Sequence, residues 1–325
     1  MVHRALVPPA ETFRSRNDAT DPRVGDRVRP LAALGDLAPG EIVLLGVRNE
    51  QGVLANHGRP GAAQGPDGFR RAFFKLTAPA LQGCRCWDAG DLPEDLPYGD
   101  RFALQGEVIA ALVGRGALPL VVGGGHDCSY GNHLGLAALG PSTVIGVDAH
   151  LDVRPEPGPS SGNPFRRMLE QGLAGRDLTL LGLVPWVNAQ AHRTYAETRG
   201  VALHDLEPGQ EASLLEALEG ALARAAGRRT LATLDLDAFS ASALPGVSAP
   251  NPWGLSLDLG LQLARRLGAS PCVAVFDLME LAPPLDPSGI SARSSAFLAA
   301  AFLQGFAARA GTMAPGPPAH RSQET

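Results

Sequence analysis

Cysteine is scarce in this chain, and long apolar runs and dense basic clusters are missing; each shortage excludes a class of protein. Four cysteines in 325 residues (Cys84, Cys86, Cys128 and Cys272) are too few for a disulfide scaffold. Cys84 and Cys86 stand one residue apart, which suits neither a C-x-x-C redox pair nor a zinc knuckle. The cysteines therefore carry no expected role. No segment reaches the roughly eighteen apolar residues of a spanning helix, and the start, MVHRALVPPAETFRSRND, has no apolar core of signal-peptide size. A cytoplasmic protein without membrane contact is expected. The 28 Lys+Arg against 33 Asp+Glu leave a net charge of −5, with no basic cluster to track a phosphate backbone, so nucleic acid is not an expected partner. Neither an internal repeat nor an interdomain linker is visible.

What is present is enough for a full core. With 45% hydrophobic and 19% charged residues, the chain lies far from disordered composition, and a globular chain of this length buries roughly 75% of its unfolded surface. Gly 39 and Pro 28 are scattered without period, which suggests many short elements joined by shaped loops. EIVLLGV (41–47), LPLVVGGG (118–125), STVIGVD (142–148), LTLLGLV (178–184), TLATLDLD (230–237) and PCVAVFDL (271–278) are short, near-continuous apolar runs. Such runs are the buried strands of a parallel sheet. Helical patterns lie between them at 101–116, 163–175, 211–227 and 255–268. The alternation predicts βαβ units with right-handed crossovers, an α/β fold in a single domain. We expect an N-terminal extension over 1–38, a catalytic domain over 39–310 and a disordered Pro/Gly-rich tail over 311–325.

In parallel sheets the functional groups gather beyond the carboxyl ends of the strands, and here the acids and histidines sit there. LPLVV leads into Gly123-Gly124-Gly125-His126-Asp127, STVIGV into Asp148-Ala149-His150-Leu151-Asp152, TLATL into Asp235-Leu236-Asp237, and PCVAVF into Asp277-Leu278-Met279-Glu280. Taken singly, a histidine after a glycine turn more often bonds backbone than metal, and D-x-D often caps a helix. The D-x-H-x-D triplet is different. In an extended chain the period of two puts Asp148, His150 and Asp152 on one side, where an apolar face is the default. Clustered buried carboxylates repel and cost several kcal/mol each to desolvate, so a cation must compensate them.

The ligand types select the metal. Carboxylates and imidazoles without thiolate make a hard, oxygen-rich site with groups for two divalent ions. Mn²⁺ fits best, because imidazole disfavours Mg²⁺; Zn²⁺ and Fe²⁺ remain compatible with the ligand types. Two such ions share a water and lower its pKa enough to supply hydroxide near neutral pH, so hydrolysis is the expected reaction class.

These motifs in this order, with GRPGAAQGPDGFR (58–70) and WDAGDL (87–92), resemble the ureohydrolase superfamily of arginase, agmatinase and formimidoylglutamase over about residues 12–310. The resemblance implies a three-layer α/β/α arginase-type fold with a largely parallel sheet. It implies two Mn²⁺ per chain: one held by His126, Asp148, Asp152 and Asp235, the other by Asp148, His150, Asp235 and Asp237, with Asp148 and Asp235 bridging. A small-molecule substrate and self-association into a homo-oligomer complete the expectation.

The loops separate the members. Where arginases read S-G-N-x-H-G, this chain reads Ser161-Gly162-Asn163-Pro164-Phe165-Arg166, so Phe165 replaces the proton-shuttling histidine. Agmatinases carry D-P after D-x-D, whereas this chain has Ser240-Ala241. Asp152-Val153-Arg154, Arg16-Asn17-Asp18, Asn188 and Pro245-Gly246-Val247-Ser248-Ala249-Pro250 are similar to formimidoylglutamase motifs. The implied reaction is hydrolysis of N-formimidoyl-L-glutamate to L-glutamate and formamide by a metal-bridging hydroxide, a step of histidine degradation. Glu280 would accept the amidinium nitrogens, and Asp237 would orient the hydroxide and carry its proton to the departing amine. Arg154 or Arg166 would clamp the substrate carboxylates, Ser161 and Asn163 would hydrogen-bond the substrate, and Trp253 is read as a core residue rather than a pocket wall. Phe165 also makes the pocket more apolar there and leaves no proton shuttle to a guanidine leaving group; the alternatives are a guanidino-compound hydrolase releasing urea and a non-catalytic metal-binding relative. A one-zinc deacetylase would not require His126, Asp152 and Asp237 together.

Overall fold

All six apolar runs become strands in the computed structural model, which describes residues 6–7 and 15–312. Among those residues there are nine strands: β1 (Arg29–Pro30), β2 (Ile42–Gly46), β3 (Cys86–Asp91), β4 (Leu118–Val122), β5 (Ser142–Val147), β6 (Leu178–Leu183), β7 (Ala202–Asp205), β8 (Arg229–Asp235) and β9 (Val273–Met279). They form one sheet in the order β1-β3-β2-β4-β9-β8-β5-β6-β7, and every pairing is parallel. The helices are α1 (Gln51–Ala55), α2 (Gly65–Phe73), α3 (Tyr98–Gly114), α4 (Cys128–Ala137), α5 (Pro164–Glu170), α6 (Gln190–Thr198), α7 (Glu211–Arg224), α8 (Leu257–Ala269) and α9 (Ile290–Thr312).

The strands are apolar on both faces because both are covered. Ile42, Leu44, Ala232 and Phe276 pack with residues of α2, α7, α8 and α9. Their neighbours Val43, Leu45, Leu231 and Val275 pack on the other side with α3, α4, α5 and α6. The result is the expected three-layer α/β/α sandwich. None of the described helices is long and apolar enough to cross a membrane.

Three strands escape a hydrophobicity reading. β1 has two residues, β7 is a half-buried edge, and β3 reads CWDAGD. The acids of β3 tolerate burial because Arg70 of α2 reaches them: its Nε and Nη2 donate to Asp88 (both 2.9 Å) and its Nη1 to Asp91 (2.6 Å). This buried clasp ties the two quoted motifs, 58–70 and 87–92, to each other. Residues 29–30 of the expected extension form the edge strand β1. The expected disordered tail lies outside the described residues, save for residues 311–312 at the end of α9.

Candidate metal centre and active site

Strands β4, β9, β8 and β5 are neighbours, so the segments leaving their carboxyl ends meet above the middle of the sheet. The D-x-H-x-D segment does not continue as a strand, which corrects the extended-chain expectation. β5 ends at Val147, His150 N–H donates back to Asp148 Oδ1 (2.7 Å), and Asp152 takes φ +45°. The chain turns, and that turn brings the three side chains together. On the β4 side, a β-carbon at Gly124 would collide with the backbone carbonyl of Asn49, so only glycine lets the loop pass and deliver His126.

All six expected ligands converge, in two groups that share Asp148: His126, Asp148, Asp152 and Asp235, and Asp148, His150 and Asp237. His126 Nδ1 lies 3.1, 2.9 and 3.1 Å from oxygens of Asp148, Asp152 and Asp235. One ring nitrogen carries at most one proton, which cannot serve three carboxylates. His150 Nδ1 lies 3.2 Å from Asp237 and 3.6 Å from Asp148. Asp148 Oδ2 and Asp237 Oδ1 are buried without a hydrogen-bond partner. Asp235, expected to bridge, falls in the first group and turns its Oδ1 to the amide of Asp237 (2.9 Å). Convergent oxygens, orphaned acceptors and the hard donor set fit divalent cations.

The surroundings aim the ligands. His126 Nε2 lies 3.1 Å from Thr233 Oγ1, which contacts Ser129 Oγ at 2.9 Å. A ring engaged there presents Nδ1 to the carboxylates. Burial pushes the Asp152 carboxyl up to about 7, helped by the negative charge of Asp148. Burial and then Asp235 raise Asp237, and burial with Asp235 and Asp237 raises Glu280. For Asp148 burial acts upward, yet the contacts of His126 and His150 bring it down to about 2. Both imidazoles, despite burial, are held well above their ordinary value by the carboxylates around them.

Glu280 follows β9 in the left-handed region, φ +68°. Its Oε1 accepts from His126 N–H (3.0 Å), and its buried Oε2 has no partner. It forms, with His150, Asp152, Asp235 and Asp237, the floor of a cavity of about 280 Å³ whose walls include Asn56, His57, Arg59, Arg154, Ser161, Asn188, His192 and Ser248. Arg154 stands half exposed in that wall, its nearest carboxylate, Glu156, 3.9 Å away. Ser161 is there too, its Oγ accepting from Asn56 Nδ2 (3.2 Å).

Other expected contacts do not reach the cavity. Asn163 is a loop clasp: its Nδ2 donates to Gly158 O (2.8 Å) and its Oδ1 accepts from Ser160 N–H (3.0 Å). Arg166 turns along α5 to Glu170 (2.8 Å) and covers the Tyr195 ring at 4.3 Å, as an i, i+4 pair on a helix does. Phe165, expected to make the pocket apolar, is fully buried and sets its ring edge on the His126 ring, centroids 5.2 Å apart. Trp253 packs on the core and on Trp186, centroids 5.0 Å apart, in keeping with its core reading. Sequence reasoning missed His57, Arg59 and His192. Arg59 lay within a quoted motif, but His192 sits on a helix without distinguishing pattern.

Comparison with known proteins agrees with this geometry. A sequence model of the Arginase family matches residues 40–306. A formimidoylglutamase from Geobacillus thermodenitrificans is 36% identical over 294 residues, 86% of this chain and 88% of that protein. One from Nocardia farcinica is 36% identical over 304 residues, 89% of this chain and 95% of that protein. The crystal structure of Trypanosoma cruzi formiminoglutamase with Mn²⁺ superposes with a TM-score of 0.82 at 29% identity, over 89% of this chain and 99% of that one. With its parallel sheet, its paired ligand groups and these relatives, the chain belongs to the Arginase family.

Proposed function

We propose that the protein hydrolyses N-formimidoyl-L-glutamate to L-glutamate and formamide with two Mn²⁺ per chain. His126, Asp148, Asp152 and Asp235 would hold one ion, and Asp148, His150, Asp235 and Asp237 the other. When bound, the pair supplies a water acidic enough to act as nucleophile near neutral pH. The chain's own groups do the rest. The formimidoyl group is a planar cation when protonated. Glu280 Oε2, buried and without a partner, receives its nitrogens, while the bond from Oε1 to His126 N–H keeps the carboxylate aimed. Asp237, whose burial beside Asp235 raises its proton affinity, takes the proton released by water and gives it to the departing amine. Water is consumed, the bond from the formimidoyl carbon to the glutamate nitrogen breaks, and the carbon leaves as formamide. Arg154 receives a substrate carboxylate, and Ser161 orients it.

The observation that carries this reading is Arg154. Two residues after the ligand Asp152, it puts a guanidinium without a close carboxylate into the wall of the acid-floored cavity, which suits a substrate with an amidinium at one end and carboxylates at the other. The same reading places the enzyme in the cytoplasm, in histidine degradation, and in a homo-oligomer. The test is a product panel. Mn²⁺-loaded protein is incubated with formimidoylglutamate, arginine, agmatine and guanidinobutyrate. Formamide and glutamate are expected from the first, and faster release of urea from any other substrate would replace this assignment with a guanidino-compound hydrolase.

A further inference from the structure

The turn at 148–152 carries three of the proposed metal ligands on five residues, Asp148, His150 and Asp152, and its own bonds do not explain why it stays in place. Asp152 sits at φ +45°, a region that costs a non-glycine residue free energy unless its surroundings enforce it. Asp148 Oδ1 binds His150 N–H from within the turn. Main-chain bonds tie the ends of the turn to its neighbours, Asp148 N–H to Leu181 O (3.0 Å), Val184 N–H to Ala149 O (2.9 Å) and Arg166 N–H to Asp152 O (3.4 Å), and one side chain from outside adds bonds to its middle. Asn188 Oδ1 accepts from Leu151 N–H (2.8 Å), and Asn188 Nδ2 donates to Ala149 O (2.8 Å) and to Val184 O (2.8 Å). Ala149 and Leu151 alternate with the ligands Asp148, His150 and Asp152, so the amide grips the turn between each pair of them. Its orientation is unambiguous: a flipped amide would set an oxygen against two carbonyls and an NH₂ against an N–H.

We infer that Asn188 is a positioning residue for the metal centre: its carboxamide holds the turn in the shape that brings Asp148, His150 and Asp152 to the ions, and it touches neither ion. The inference rests on the dimetal reading above. It goes further by placing control of metal affinity in the segment after β6, whose Val187 and Asn188 also form one wall of the cavity.

The test uses the full chain with Mn²⁺ alone as probe. Asn188→Ala removes all three bonds; Asn188→Asp keeps the acceptor for Leu151 and sets an oxygen against the carbonyls of Ala149 and Val184. Loss of such an orienting partner typically weakens metal binding roughly 10- to 100-fold. We expect a loss of that size in Mn²⁺ affinity by equilibrium dialysis, with an altered electron paramagnetic resonance signature of the bound pair and turnover partly restored by excess Mn²⁺. Affinity and spectrum unchanged, with only a lower Tm of the metal-free variant, would overturn the inference, as would a rise in KM alone. Should both variants fail to fold, hydrogen exchange in the wild-type protein decides. The Leu151 amide is expected to be strongly protected with Mn²⁺ bound, and exchange at the free-peptide rate would contradict its bond to Asn188. A wild-type protein that binds no Mn²⁺ would instead sink the dimetal reading.

Discussion

The floor and the rim of the cavity are built on opposite principles. In the floor Asp235, Asp237 and Glu280 are buried beside the partly buried His150 and Asp152, with His126 and Asp148 buried beneath them, and each stands within reach of several others. On the rim, Arg154 is half exposed and makes one long ion pair, and Arg59 is held by the backbone carbonyls of Val247 (2.7 Å) and Ser248 (3.0 Å) rather than by an acid. A densely coupled floor fixes one chemistry, because moving any member strands a buried charge. A sparsely tied rim lets substrate choice change without disturbing that chemistry, which is how one fold serves several substrates.

This contrast is most sharply tested from below. Asp148→Ala and Asp235→Ala should each abolish turnover and leave fewer than two Mn²⁺ per chain by elemental analysis, because each is proposed to hold both ions. Near-native activity with two bound ions in either variant would break the distinction at its strongest point. Next in size is Glu280→Gln, which keeps the shape and removes the anion. A charge-assisted hydrogen bond contributes about 1.5–3 kcal/mol, so kcat/KM for formimidoylglutamate should fall roughly 10- to 150-fold with metal content unchanged.

On the rim the effects should be smaller and should fall on KM. Arg154→Ala is expected to raise KM for formimidoylglutamate about tenfold, from the loss of one charged contact. Arg166→Ala, whose guanidinium is spent on Glu170 and Tyr195, should change KM less than about twofold. The reverse order would return the carboxylate clamp to Arg166.

The same contrast governs what was legible in the sequence. The floor was readable because its residue types are incompatible with any apolar alternative, and four strand ends delivered them in order. Its shape was not, since an Asp148 carboxylate bonding back to His150 N–H bends a segment that periodicity alone draws as straight. β3 stayed hidden because its acids are neutralised by Arg70, 18 residues earlier in the chain. α4 follows the glycine loop with Gly131 and Gly135 inside it, so its period is weak. The rim is assembled from segments around residues 57–59, 154–161, 188–192 and 248–249, which meet only on folding. Arg154 and Arg166 look equivalent as letters; the helix that starts at Pro164 sends the second one away.

The smallest effect expected is thermal. In the metal-free protein His126, His150, Asp152, Asp237 and Glu280 all have proton affinities raised by folding. The folded state thus holds more protons than the unfolded one; the carboxyl contribution begins to be lost above about pH 4, through about 7 for Asp152, and that of the two histidines is lost only above their ordinary value near 6.5. Asp148, held at about 2, acts oppositely, but only below that window. Mn²⁺ displaces those protons, so the Tm difference between loaded and metal-free protein should widen by roughly a few degrees from pH 5 to pH 8. A constant difference would mean that the floor does not exchange protons for metal.

The central claim is that the floor holds two ions through a shared Asp148. Anomalous diffraction at the manganese edge from Mn²⁺-soaked crystals tests it most directly. We expect two peaks on opposite sides of the Asp148 carboxylate, one among His126, Asp152 and Asp235 and the other against His150 and Asp237. A single peak, or peaks away from these side chains at saturating Mn²⁺, would contradict it.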